Sequence, residues 1–236
     1  MSDSIKKHPP KKTGRGAVHN PPSRFVPLEY IPAKEAWEED VETNPRTEFY
    51  KDASKSIISY NTSPDIGFNA SINPYRGCEH GCIYCYARPT HEYFGLSAGL
   101  DFETKIFVKE DAPKLLRREL SSPKWKPQVI ALSGNTDPYQ PVERRLKITR
   151  GILEVLAEFR NPVAMITKNF LVTRDIDILQ KLAAHQAVTV TISLPTLDGD
   201  LARVMEPRTT RPDRRACGYH RRVRRDSGGS GSDRDR

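Results

Sequence analysis

The sequence predicts an α/β protein: four strand–loop–helix units of a parallel sheet, flanked by disordered basic tails. Three observations carry this reading. Short apolar runs at Ile66–Ile72, Val129–Leu132, Val163–Ile166 and Ala187–Leu194 recur along the chain. Helical periodicity and polar loops separate them, the alternation of a sheet whose neighbouring strands run the same way. The basic residues collect at the two ends.

The elements follow in order. Residues 1–30 are basic, polar and rich in proline (Lys6-Lys7-His8-Pro9-Pro10-Lys11-Lys12, then Asn20-Pro21-Pro22) and hold too little apolar surface to offset the entropy of ordering. Residues 31–60 add Trp37, Phe49, Tyr50 and Ile57-Ile58, a partly ordered lead-in packed on the main domain. The first strand spans Ile66–Ile72 and ends at Pro74. Residues 91–102 read as a loop around Gly95 and Gly99, and Lys105–Val108 as a brief extended piece. Asp111 is placed to cap a helix whose Pro113 lies in the first turn, where a missing N–H is harmless. Val129–Leu132 is a buried strand with Ser133-Gly134-Asn135-Thr136-Asp137-Pro138 as its exit loop.

A helix from about Pro141 to Arg160 repeats Ile148, Ile152, Val155, Leu156 and Phe159 at three- and four-residue steps, and Asn161-Pro162 stops it. The third strand, Val163–Ile166, ends at Thr167-Lys168-Asn169. Thr173 begins another helix with Ile176, Leu179 and Leu182 inside. Ala187–Leu194 is the fourth strand, and Leu197–Met205 starts a further helix. In such sheets chemistry belongs at the C-terminal ends of the strands.

The domain organisation expected is an extension over residues 1–60, disordered to about 30, a core over 61–206, and a divergent basic tail over 207–236. After Met205-Glu206-Pro207-Arg208 no apolar periodicity survives, and Arg, Gly, Ser and Asp dominate. A shifted reading frame or premature end accounts for such text; an authentic disordered tail is the alternative. Either way the fourth strand is expected to present an open edge.

Charge is informative through its location. The 236 residues carry +8, of which residues 1–30 contribute +4 and residues 207–236 contribute +6, leaving −2 for everything between. The basic character belongs to the tails, so the overall charge says little about the folded part, and nucleic-acid binding through charge is a reading for the tails. Residues 1–10 lack the apolar core of a signal peptide, and no apolar run approaches the roughly 20 residues that span a bilayer. A reducing cytoplasm is the expected setting, where four cysteines point to metal chemistry rather than disulfides.

Three of those cysteines fall in one stretch, Asn73-Pro74-Tyr75-Arg76-Gly77-Cys78-Glu79-His80-Gly81-Cys82-Ile83-Tyr84-Cys85-Tyr86, spaced C-x-x-x-C-x-x-C. Three thiolates so spaced can converge on an iron–sulfur cube, with Gly77 and Gly81 freeing the backbone to curl around it. A cluster held by three cysteines leaves one iron open to a ligand. A structural zinc with His80 as fourth ligand is the rival use of the same residues.

The stretch resembles the signature of radical S-adenosylmethionine (radical SAM) enzymes, C-x-x-x-C-x-aromatic-C, with Tyr84 as the aromatic. Its wider wording, through Cys85-Tyr86-Ala87-Arg88, is similar to uncharacterised bacterial relatives of spore photoproduct lyase, over about residues 61–215. The resemblance implies a partial (β/α)6 barrel, of which four units are present. It also implies a [4Fe–4S] cluster on Cys78, Cys82 and Cys85 and S-adenosylmethionine chelated to the open iron. Reductive cleavage would then give a 5′-deoxyadenosyl radical, with an electron donor such as a flavodoxin or ferredoxin. Tyr84 would lie beside the adenine. Thr136 and Asp137, in the loop after the second strand, are candidates for the methionine ammonium, which needs acceptors. Lys168 at the third strand end could neutralise the methionine carboxylate, and Ser193 at the fourth could bond ribose or carboxylate. Arg76 and Arg88 flank the cluster loop and either moderate its charge or solvate it. One departure stands out: no cysteine occurs between Cys85 and Cys217 to act as the hydrogen donor of spore photoproduct lyase. Besides a radical SAM enzyme whose substrate the sequence does not name, or a truncated and inactive remnant of one, the sequence leaves two readings open: a non-catalytic zinc or iron–sulfur module, and a nucleic-acid binder acting through basic tails.

Overall fold

The computed structural model describes residues 14–25 and 46–210. Trp37, Cys217 and the tail beyond 210 lie outside them. In chain order the elements are β1 (Glu48–Lys51), β2 (Ile58–Tyr60), β3 (Ala70–Ile72), β4 (Tyr75–Arg76), α1 (Leu100–Thr104), β5 (Lys105–Val108), α2 (Ala112–Leu120), β6 (Ile130–Leu132), α3 (Glu143–Leu146), α4 (Ile148–Phe159), β7 (Val163–Thr167), α5 (Ile176–Ala183), β8 (Val188–Ile192) and α6 (Gly199–Met205). Short 3-10 helices occupy Arg88–Phe94 and Phe170–Asp175.

Strands β3, β6, β7 and β8 are the four expected strands, side by side and all parallel. Their register sets Ile72, Leu132, Met165 and Val190 in one row. Antiparallel β2 extends the sheet beyond β3, so β2 and β8 are its two edges and the described residues form no closed barrel. Ile130, Leu132, Val163 and Met165 on the sheet pack with Leu116, Ile152, Leu156, Ile178 and Leu182 on α2, α4 and α5, all buried. Burial of this apolar area stabilises the arrangement by about 25 cal/mol per Å².

Several local expectations are corrected. The first strand begins at Ala70 rather than Ile66, because the Ser63-Pro64-Asp65 turn and Gly67 belong to the β2–β3 connection, where the Asn61 N–H bonds the Asn69 carbonyl at 2.9 Å. The long helix from Pro141 is two: Lys147 takes a left-handed φ of 54°, and the Glu143 carboxylate accepts the N–H groups of Thr149 and Arg150 at the start of α4. Asp111 caps nothing with its side chain, which lies 3.9 Å from the Lys51 ammonium, although Pro113 does occupy the first turn of α2. The helix expected from Thr173 is entered by a 3-10 turn from Phe170, capped by the Asn169 side chain on the Leu171 N–H.

The stretch 91–102 is a loop in the sequence reading and partly helical in the structure, ending in α1. What orders it comes from the segment whose composition points to disorder: Asn20 pairs with Asp101 through two 3.0 Å bonds, and Arg24 with Glu92 at 2.7 Å. The lead-in likewise contributes β1, which pairs in parallel with β5 in a second sheet of order β1-β5-β4. Beneath β4 lies a buried polar network. Tyr75 donates to Glu143, Arg174 bridges Glu143 and Asp175 at 2.7 Å each, and Tyr139 donates to Asp175 at 3.1 Å. It ties the root of the cysteine loop to α3 and to the entry of α5.

Among the described residues β8 is an edge of the sheet, as expected. Val188, Val190 and Ile192 of β8 face the core, while Leu197, Leu201 and Val204 further along the chain are exposed. An unpaired edge and exposed apolar side chains both recruit further chain. Analytical ultracentrifugation should therefore show reversible self-association that grows with concentration; a strict monomer at about 100 μM would contradict this.

Candidate functional site

The cysteine loop leaves the C-terminal end of β3 by way of β4. Gly77 and Gly81 take left-handed φ values of 81° and 69°. At Gly77 a Cβ would sit 2.9 Å from both the His91 ring and the Phe102 carbonyl, so the chain can turn there only without a side chain. The loop is then pinned from every side. The Cys78 N–H bonds the Phe102 carbonyl at 2.9 Å. Gln140 clasps it twice, accepting from the Glu79 N–H at 3.0 Å and donating to the Gly77 carbonyl at 3.2 Å. Arg88 donates from Nε and Nη2 to the Cys82 carbonyl at 3.3 and 2.9 Å. From the end of α6, the Met205 carbonyl accepts the Ile83 N–H at 3.0 Å, and the Arg208 N–H reaches the His80 carbonyl at 3.1 Å.

Cys78 and Cys82 are buried and Cys85 is half-buried, and all three thiols are free. Burial pushes the Cys78 thiol well above its ordinary range, and burial with neighbouring Glu206 pushes Cys82 up to about 12. Such thiols ionise against a strongly positive partner, which a bound metal supplies. Among the described residues no three His, Cys, Asp or Glu side chains gather around one metal ion. His80, the fourth ligand a zinc would take, instead sets Nδ1 3.5 Å from the Asp137 carboxylate and Nε2 3.2 Å from the Asn169 amide. The donor set fits the cluster.

The other sequence candidates divide into two groups. Tyr84, Lys168 and Ser193 come together: the Lys168 ammonium donates to Ser193 Oγ at 2.7 Å and lies 5.3 Å from the Tyr84 ring centre. Glu206, which the sequence reading missed, joins them, 3.0 Å from the Lys168 Nζ and accepting from the Tyr84 hydroxyl. Burial alone would lower the Lys168 pKa, but bonds to Tyr84 and Glu206 hold it above the ordinary lysine value. It is a cation at all physiological pH. Glu206 immediately precedes Pro207 where periodicity fails, so no pattern set it apart.

Thr136 and Asp137 turn inward. Thr136 donates its hydroxyl to the Tyr75 carbonyl at 3.2 Å and is buried. Asp137 accepts three hydrogen bonds, from the Tyr139 N–H at 2.8 Å and from the Thr167 hydroxyl and Lys168 N–H at 2.7 Å each, and the His80 ring lies 3.5 Å away. Three of a carboxylate's about four lone-pair positions are thereby occupied from within the fold. Burial raises the Asp137 pKa, but His80 and the hydrogen bonds outweigh it and hold the acid below its ordinary value. Asp137 thus joins the ends of β6 and β7 to the cysteine loop. The arginines divide as well: Arg88 grips the loop, while Arg76 pairs with Asp52 at 2.6 Å and lies over Phe94.

The model of the radical SAM superfamily matches residues 72–223, more than half of the chain. An uncharacterized protein of Mycobacterium tuberculosis is 41% identical over 148 residues, covering 63% of this chain and 44% of that protein. One of Methanocaldococcus jannaschii is 30% identical over 164 residues, 70% of this chain and 58% of that protein. One of Acidianus two-tailed virus is 27% identical over 149 residues, 61% and 48% of the two. The chain thus spans less than half the length of the mycobacterial relative it matches. No solved structure matches it.

Proposed function

The chain belongs to the radical SAM superfamily, whose members bind a [4Fe–4S] cluster and S-adenosylmethionine, and we propose that it uses Cys78, Cys82 and Cys85 to hold that cluster and cleaves S-adenosylmethionine reductively. The observation that carries the reading is the pinned cysteine loop at the end of β3, beside Lys168 and Ser193 from the ends of β7 and β8. When bound, cluster and cofactor together supply one-electron cleavage of a sulfonium carbon–sulfur bond; the chain's residues bind and orient. The Lys168 ammonium and the Ser193 hydroxyl receive the methionine carboxylate. Glu206, already facing that ammonium, is the acceptor for the methionine ammonium in place of Asp137. Tyr84 forms a wall beside the adenine.

The working unit in this proposal is residues 61–206 together with the described N-terminal segment, reduced by a flavodoxin or ferredoxin in a cytoplasmic setting. No helix among the described residues is long and apolar enough to cross a membrane. With no cysteine between Cys85 and Cys217, repair chemistry that depends on a cysteine hydrogen donor is not proposed.

Anaerobic reconstitution with iron and sulfide tests the cluster. A brown protein with about four irons per chain supports it, and a colourless, zinc-loaded chain grown with ample iron ends it. On the reconstituted protein, Lys168→Ala is expected to weaken S-adenosylmethionine binding about 10–100-fold, the value of a charge-assisted contact, with iron content unchanged. Calorimetric titration measures this, and unaltered affinity would remove Lys168 from the site.

A further inference from the structure

We infer that Glu103 and Arg88 are positioning residues for the Cys82 corner of the loop, and that residues 14–17 form a strap holding this pair in place; the role rests on the cluster reading above. The Glu103 carboxylate is fully buried. It accepts from Arg88 Nη2 at 2.6 Å and from the backbone N–H groups of Gly16 and Ala17 at 3.1 and 2.8 Å. Arg15 closes the strap from outside, donating to the Glu103 carbonyl at 2.9 Å and to Thr47 at 3.1 Å. Arg88, held by Glu103, aims two donors at the Cys82 carbonyl and a third at the Gly99 carbonyl at 3.1 Å.

The result is a continuous line of bonds from strap to Glu103 to Arg88 to the peptide that carries the middle cysteine. Two glycines make the contact close. A Cβ on Gly16 would stand 1.8 Å from the Gly81 carbonyl oxygen, and one on Gly81 would stand 2.8 Å from Glu103 Oε2. Strap backbone therefore lies directly on loop backbone. A buried carboxylate persists only while its partners remain. Losing the strap leaves Glu103 with Arg88 alone, and losing the guanidinium fork frees the Cys82 peptide. Partners that orient metal ligands in this way are worth about 10–100-fold in metal retention.

Two substitutions in the full chain separate this from general stability. Gly16→Val leaves Glu103 and Arg88 unsubstituted but drives a side chain against the Gly81 carbonyl and to about 3.1 Å from Arg88 Nη2, so that the strap must move away, and Arg88→Lys keeps the charge but removes the fork from the Cys82 carbonyl. In metal-free protein, peptide-resolved alkylation by iodoacetamide is expected to speed up at Cys82 by about tenfold in both, with Cys78 changed less than about twofold. In reconstituted protein the same variants should release iron to a chelator faster by a similar factor. Cys82 reactivity equal to the parent, or an equal rise at all three thiols, overturns the inference. If Gly16→Val does not fold, Arg88→Lys carries the test alone. Because the alkylation involves no iron, a failed reconstitution would remove the cluster reading and leave the strap result standing.

Discussion

Cys82→Ala is expected to reduce iron from about four per chain to near zero and to abolish S-adenosylmethionine cleavage, with Cys78→Ala and Cys85→Ala behaving alike. The three fall together because a cluster with two protein ligands exposes a second iron and is lost to solvent. The loop itself should survive the change. Its shape is held by Gln140, Arg88, the Phe102 carbonyl and the end of α6, none of which involves a sulfur. Circular dichroism of the metal-free variants should therefore match the parent. Retention of full iron by any one variant would remove that cysteine from the site.

Asp137→Ala is expected to destabilise the metal-free protein by about 3–5 kcal/mol, the range for breaking a buried charged network. Its removal would leave the Tyr139 and Lys168 N–H groups and the Thr167 hydroxyl without their acceptor. Urea unfolding of the metal-free chain distinguishes this from a role in binding cofactor, which would leave that stability unchanged. The sign with pH follows from the lowered native pKa. The Asp137 contribution is complete above the ordinary aspartate value of about 3.9 and is lost as pH falls through the depressed native value. The variant should accordingly show a shallower fall in stability on the acid side.

The parallel sheet was legible because β6 and β7 are compact apolar runs and β8 is rich in β-branched residues, and because α4 repeats Ile148, Ile152, Val155 and Leu156 on one face. Periodicity reports burial, and these elements are defined by burial. It does not report what a polar side chain bonds to. Thr136 and Asp137 occupy the expected loop at a strand end, yet their hydrogen bonds run inward to Tyr75, Thr167 and Lys168. Lys168 and Ser193 sit at strand ends too, and there position alone was enough to bring them together. Glu206 and Glu103 were invisible for a different reason. Each is significant only through partners far along the chain, Tyr84 for the first and Gly16 for the second. Residues 14–17 illustrate the same limit: a Gly-Arg-Gly-Ala segment has no apolar periodicity to mark it, and its place is fixed by backbone N–H groups on a distant carboxylate.

The most direct measurement of the central claim is product analysis under anaerobic conditions. The reconstituted full chain is mixed with S-adenosylmethionine and dithionite, and 5′-deoxyadenosine and methionine are quantified by liquid chromatography. The account predicts both products in equal amounts, dependent on reductant and absent from the Cys82→Ala variant. A protein that holds a full complement of iron and sulfide but releases neither product would contradict it.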